Sequence, residues 1–214
     1  MTDDELRAAV AAERTEQADL LAALRPEQWD APTLCAGWRV REVVAHTTMP
    51  FRTSLGRTVV ELVKSGGSVN RMADRCARHD AAALSAGELL ASLRRNVAHP
   101  WAPPGGGVRG ALSHDVIHGL DITVALGLDR RVPRERVAAV LAGMSPRHLA
   151  FFGTDLTGVR LEATDLDWSH GEGTPLRGLA QDLLLVLCGR RLPPGRLDGA
   201  AEPRFTGTEG QRAS

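Results

Sequence analysis

The sequence predicts a mainly α protein: a four-helix bundle carrying a small C-terminal α/β appendage. Three observations lead there. Apolar residues recur at helical spacing through the first two thirds of the chain. Capping boxes and Pro or Gly stops punctuate those stretches. After Gly153 the period drops to two, with Val159, Leu161 and Ala163 alternating against Arg160, Glu162 and Thr164.

The elements follow in order. Thr2 and Glu5 form a T-x-x-E capping box, and Leu6, Val10, Leu20, Leu21 and Leu24 trace a first helix from about Asp3 to Leu24, stopped by Pro26. Glu27 to Trp38 reads as an ordered loop. A second helix carries Val40, Val43, Val44, Thr47, Phe51, Leu55, Val59 and Leu62 as one apolar stripe, with Pro50 kinking or interrupting it and Gly66-Gly67 ending it. Asn70 is the expected cap of a third helix that pauses near His79-Asp80. Ser85 and Glu88 make a second capping box before Leu89, Leu90, Leu93 and Val97. The Pro- and Gly-rich run from Pro100 to Gly107 is loop. A fourth helix extends from about Arg109 to Leu126, with Gly127 as its stop, and Pro133 opens a shorter one. Asp167 to His170 is the expected partner of the strand at Val159, and Leu179 to Leu187 a last short helix. The expected division is a helix bundle at 1–152, an α/β unit at 153–197 and a weakly ordered tail at 198–214.

Composition narrows the functions. The 214 residues carry 26 basic and 26 acidic side chains, so no global basic field exists to hold nucleic acid or an anionic membrane surface. Lys64 is the only lysine, and tyrosine is absent, which removes any tyrosine acid or nucleophile. Cys35, Cys76 and Cys188 are odd in number and show no CxxC spacing, against both a disulfide framework and a cysteine zinc cluster. No apolar run approaches the ~18 residues of a membrane span, and the acidic start is unlike a signal peptide. The expected location is cytoplasmic, as a monomer or homodimer, with no nucleic-acid or membrane partner.

The chemistry-bearing residues are histidines. His114 and His118, four apart in a helix, share one face, and His46 lies on the apolar side of the second helix, where an unpartnered imidazole is costly. Facing helices of a bundle commonly build metal sites in this way. Spacing alone is equally compatible with two surface histidines and one hydrogen-bonded core histidine. His79, His99, His148 and His170 read as surface residues, and Cys35 as a small structural cysteine.

The stretch from Cys35 to His46, Cys-Ala-Gly-Trp-Arg-Val-Arg-Glu-Val-Val-Ala-His, resembles a C-x-G-W-x-V-x-x-V-V-x-H signature of the mycothiol-dependent maleylpyruvate isomerase family, within the DinB-like metalloprotein superfamily. His114 to Ile122 with Ala125-Leu126-Gly127 is similar to its second signature, and Asp165 to Trp168, Gly171 to Gly173, Gly178, Asp182 to Leu185 and Gly189-Arg190 to its ending. The resemblance implies a DinB-like bundle in which His46, His114 and His118 hold a divalent metal. The isomerase it resembles has glutamate where His114 stands, so this chain is similar to the all-histidine variant of the superfamily. That isomerase is also expected to be longer, with a fuller C-terminal domain.

Three imidazoles on one ion leave a coordination position open, the pattern of a catalytic site. The donor set suits zinc, with nickel as the alternative. The resemblance implies mycothiol as the low-molecular-weight thiol cosubstrate and a small electrophile as substrate, in thiol transfer or thiol-assisted isomerisation. Asp121, three residues beyond His118, is the candidate catalytic or ligand-orienting carboxylate; Trp38 and Arg109 are candidates for cofactor binding, and Arg177 and Arg190 minor ones. Three other readings remain: a thiol-independent metal hydrolase using Asp121 as base, a non-catalytic bundle that binds metal or a small ligand, and a structural bundle without metal.

Overall fold

The structure, a computed structural model, describes residues 1–207. Packing divides it into two units, Met1–Ile122 and Thr123–Ser214. The division falls inside a helix, whereas the sequence placed it at 152/153.

The first unit is helical. α1 (Asp3–Ala22) starts at the expected box, where Thr2 Oγ1 accepts from Glu5 N and Glu5 reaches back to Thr2 N. Its buried stripe includes Glu13, Arg14 and Gln17 among the apolar side chains. A 3-10 turn (Pro26–Asp30) and a bridge between Pro32 and Arg39 order the following loop. α2 (Val40–Thr48) stops at a 3-10 turn (Met49–Phe51) around Pro50, which has no N–H to continue the ladder. α3 (Leu55–Lys64) then restarts with Ser54 as its cap and buries none of its side chains. The single apolar stripe expected across Pro50 therefore does not exist: Val40, Val43 and Val44 are core, while Leu55 and Val59 stand in solvent. Past the interruption, the helical spacing continues without a core to face.

α4 (Val69–Ala83) is capped by Ser68 rather than Asn70 and runs through His79-Asp80 without a pause. α5 (Ala86–Arg95) begins at the Ser85–Glu88 box. α2 packs on α4 and α5, and α1 on α5. α6 (Gly107–Ala125) is buried over most of its circumference, from Ala111 through Val124, as a helix that is apolar nearly all round must be. Its start is tied to the Pro-rich loop by a close approach: a Cβ on Gly110 would meet Pro103 Cγ at 3.0 Å. The bundle thus has α1, α2, the α4–α5 pair and α6 as its legs.

The second unit holds α7 (Arg134–Leu141), α8 (Pro146–Phe152), α9 (Ala180–Leu187) and a four-stranded sheet. The strands are β1 (Val159–Ala163), β2 (Ser169–Gly171), β3 (Thr174–Gly178) and β4 (Leu197–Asp198), in the order β2-β1-β3-β4. β1 pairs with β2, the strand expected as its partner, in antiparallel fashion, and parallel with β3, which the sequence did not disclose. α9 is buried at every position and packs on β1, β3 and α7. Its two polar residues are satisfied: Gln181 accepts from Val132 N and donates to Arg130 O, and Asp182 pairs with Arg196 at 2.7 Å. Of the expected weak tail, 198–207 is instead structured, with β4, a 3-10 turn (Glu202–Arg204) and a buried Phe205; 208–214 lie outside the described residues. No helix among the described residues is long and apolar enough to cross a membrane.

Candidate metal centre

α2 presents His46 one turn beyond Glu42, whose carboxylate caps the helix by accepting from Arg39 N at 2.8 Å. α6 presents His114 and His118 on one face. The three imidazoles converge: one ring nitrogen from each lies within 4.8 Å of the others, and His46 Nε2 is 3.1 Å from His114 Nε2. All three rings sit within 4.8–5.0 Å of one another, centroid to centroid.

Two of the rings are backed by buried carboxylates. His114 Nδ1 lies 3.1 Å from Asp115 Oδ1, and His118 Nδ1 lies 3.0 Å from Asp121 Oδ2. A carboxylate is an acceptor only, so in the neutral ring such a contact places the proton on Nδ1 and leaves Nε2 as the lone pair. Burial, and after it the neighbouring His118 and His114 rings, hold the His46 imidazole well below its ordinary pKa. That ring is therefore neutral at pH 7, the form that ligates. Its Nδ1 is buried and makes no hydrogen bond among the described residues.

This donor set fits a metal ion. Nitrogens about 3 Å apart match two ligands of one ion with bonds of about 2 Å. Histidine Nδ1 atoms held by carboxylates are the usual support of such ligands, fixing ring orientation and raising basicity.

The other sequence candidates fall unevenly around this cluster. Trp38 is buried, with its ring 5.0 Å from His46 and 6.3 Å from His118, and its Nε1 donates to Asp74 Oδ1 at 2.7 Å. Asp121 is fully buried behind His118, and its backbone carbonyl accepts from Leu34 N. Arg109 is half-buried near the start of α6, five residues before His114. Cys35 is half-buried, with a donor atom within 4.8 Å of those of His118 and Asp121. Arg177 pairs with Glu162, and Arg190 lies over the Phe152 ring, both in the second unit.

Sequence reasoning missed Asp115, Arg14 and Trp101. The Trp101 ring meets His114 edge-on at 5.1 Å, and Arg14 Nε donates to Asp115 Oδ2 at 2.7 Å. One signal was available: Glu13, Arg14 and Gln17 occupy positions where the apolar stripe of α1 should continue. His99, read as a surface residue, is half-buried and accepts from Trp101 N.

Residues 10–102 match the profile of the mycothiol maleylpyruvate isomerase N-terminal domain. This part of the helical bundle is similar to that domain family. The match contains His46 and stops short of His114 and His118. In fold, the chain is similar to a crystal structure of the mycothiol-dependent maleylpyruvate isomerase, with a TM-score of 0.64 at 11% identity over 94% of each chain. It is also similar to a crystal structure of a histidine-to-alanine mutant of that isomerase, with a TM-score of 0.61 at 10% identity, again over 94% of each. The mainly α, DinB-like fold with its α/β appendage is thus the one the sequence predicted. The expectation of a fuller C-terminal domain in the isomerase is corrected, since the match leaves little of either chain uncovered. No curated protein matches the sequence.

Proposed function

We propose that this protein is a metal-dependent enzyme that uses mycothiol to transfer a thiol to, or isomerise, a small electrophile. The observation that carries this reading is the convergence of His46, His114 and His118 in a fold similar to that of the mycothiol-dependent maleylpyruvate isomerase. Zinc is the proposed ion, and when bound it supplies Lewis acidity that holds a thiol deprotonated near neutral pH.

The chain's own residues do the rest. His46, His114 and His118 bind through neutral imidazoles and leave room for a further ligand. Asp115 and Asp121 hold two of those rings by their Nδ1 protons. Trp38 and Trp101 wall the cluster with apolar faces, which excludes water from the sulfur and strengthens electrostatic contacts inside. Arg109, on the same helix as His114, is the proposed contact for an anionic group of the cosubstrate. Asp121 is proposed as a positioning residue. Its burial and its bond to His118 favour thiol chemistry over hydrolysis, which requires a base facing the reacting water.

The test is paired. Metal content is measured on the purified protein, and consumption of mycothiol with a generic electrophile is followed in wild type and His114→Ala. The expected result is about one equivalent of zinc per chain, with turnover lost in the variant. Bound metal without thiol turnover would replace this reading with a hydrolase or binding protein. Absence of binding after reconstitution would make the histidines structural.

A further inference from the structure

Arg14 lies in α1, far in sequence from the histidines, and is 1% exposed. Its guanidinium has two arms. Nε donates to Asp115 Oδ2 at 2.7 Å, and Asp115 Oδ1 holds His114 Nδ1 at 3.1 Å. Nη1 donates to His99 O at 2.7 Å, with Asn96 O and Val97 O at 3.5 Å, which are carbonyls just past the C-terminal end of α5. The second arm continues. His99 Nδ1 accepts from Trp101 N at 3.1 Å, and the Trp101 ring meets His114 edge-on at 5.1 Å. The guanidinium also stacks 5.0 Å over Phe51, whose ring in turn lies 5.0 Å from His99. Both arms end on one imidazole.

We infer that Arg14 is a positioning residue for His114, fixing the ring at its Nδ1 edge through Asp115 and at its flank through the loop from Asn96 to Trp101. The inference rests on His114 being a metal ligand. The physical reason is the fork. A planar guanidinium presents donors in fixed directions and spans a carboxylate and a backbone carbonyl together, whereas an ammonium is a point charge on a flexible stem. Stability alone is a poor account of the pair. A buried ion pair is weak evidence of stabilisation, and Arg14 Nη2 is buried without a hydrogen bond among the described residues. Gln17 reinforces the arrangement by donating to Asp115 O at 2.5 Å, which ties α1 to the backbone of the ligand-bearing turn.

The experiment compares wild type, Arg14→Lys, His99→Ala and, as an exposed control on α1, Arg7→Lys. Zinc affinity is measured by chelator competition well below each protein's melting transition, and the ring nitrogens of His114 are observed by 15N NMR in the ion-free protein. Wild type is expected to show His114 protonated on Nδ1. Arg14→Lys is expected to lose about 10- to 100-fold in zinc affinity and to show a mixed or altered His114 ring spectrum, with Arg7→Lys unchanged. His99→Ala, a milder change in a loop, is expected to shift Trp101 emission and weaken zinc by a smaller factor. A folded Arg14→Lys with wild-type affinity and a wild-type His114 spectrum overturns the inference. Should that variant not fold, wild-type zinc affinity together with unshifted Trp101 emission in His99→Ala overturns it. Wild type failing to bind zinc removes the metal reading instead, and the ion-free spectra still decide whether Arg14 orients the ring.

Discussion

At the residue scale, the buried carboxylates of the centre are each matched to an imidazole. Asp121 is fully buried and still acceptable in the core, since its carboxylate meets His118 Nδ1 at 3.0 Å. Removing only its charge is the informative change. Asp121→Asn keeps the shape and loses the anion that raises the basicity of His118, so zinc affinity is expected to fall by about 10- to 100-fold with the melting transition of the ion-free protein little altered. Competition with a chromophoric chelator reads this directly; unchanged affinity would show that the carboxylate does not act on His118. Trp38 illustrates a second way of satisfying a buried group: its ring packs beside two imidazoles while Nε1 reaches Asp74.

At the element scale, α2 is short and its N-terminal cap carries unusual weight. Burial pushes the Glu42 carboxyl up, but hydrogen bonds from the Arg39 side chain and backbone, with the Arg39 charge, outweigh it and hold the group below the ordinary glutamate range. A carboxyl lowered on folding stabilises the native state above its unfolded value, about 4.3, and loses that contribution as the pH falls through its folded value. Glu42→Gln is therefore expected to cost about 1 kcal/mol at pH 7, a modest figure because Arg39 is half in water. The gap between variant and wild type should close as the pH is lowered from 7 toward 3. Urea midpoints across that range measure it, and a gap independent of pH would show that the charge on Glu42 is immaterial. Since His46 lies one turn further along the same helix, zinc binding is the companion measurement.

At the scale of the molecule, the chain divides into two compact units. His46, His114 and His118 all belong to Met1–Ile122. The second unit is organised by α9, whose Leu183, Leu184 and Leu185 are fully buried. Leu184→Ala is expected to cost about 2–5 kcal/mol through lost transfer energy and the cavity left behind. Denaturant unfolding should register that loss, while zinc affinity below the transition stays at the wild-type level. A parallel fall in zinc affinity would show that the second core supports the centre.

The sequence by itself determined the elements whose signals are local. The boxes at Thr2–Glu5 and Ser85–Glu88, the break at Pro50, the stops at Gly66-Gly67 and Gly127, and the alternation at Val159 to Ala163 each act within a few residues of themselves, and each is found in the structure. The spacing of His114 and His118 was legible for the same reason, because one helical turn fixes it. Tertiary structure decided everything that depends on distant partners. Arg14 and Asp115 are 101 residues apart, and nothing in either neighbourhood names the other. The parallel pairing of β1 with β3 has a period no different from an antiparallel one. Trp101 comes from a loop whose Pro and Gly content announces only an absence of helix, and the apolar residues of α3 keep a helical spacing although no core receives them. Local propensity sets where chains bend and cap; which buried charge meets which imidazole is settled only when the helices close on one another and desolvated polar groups compete for partners.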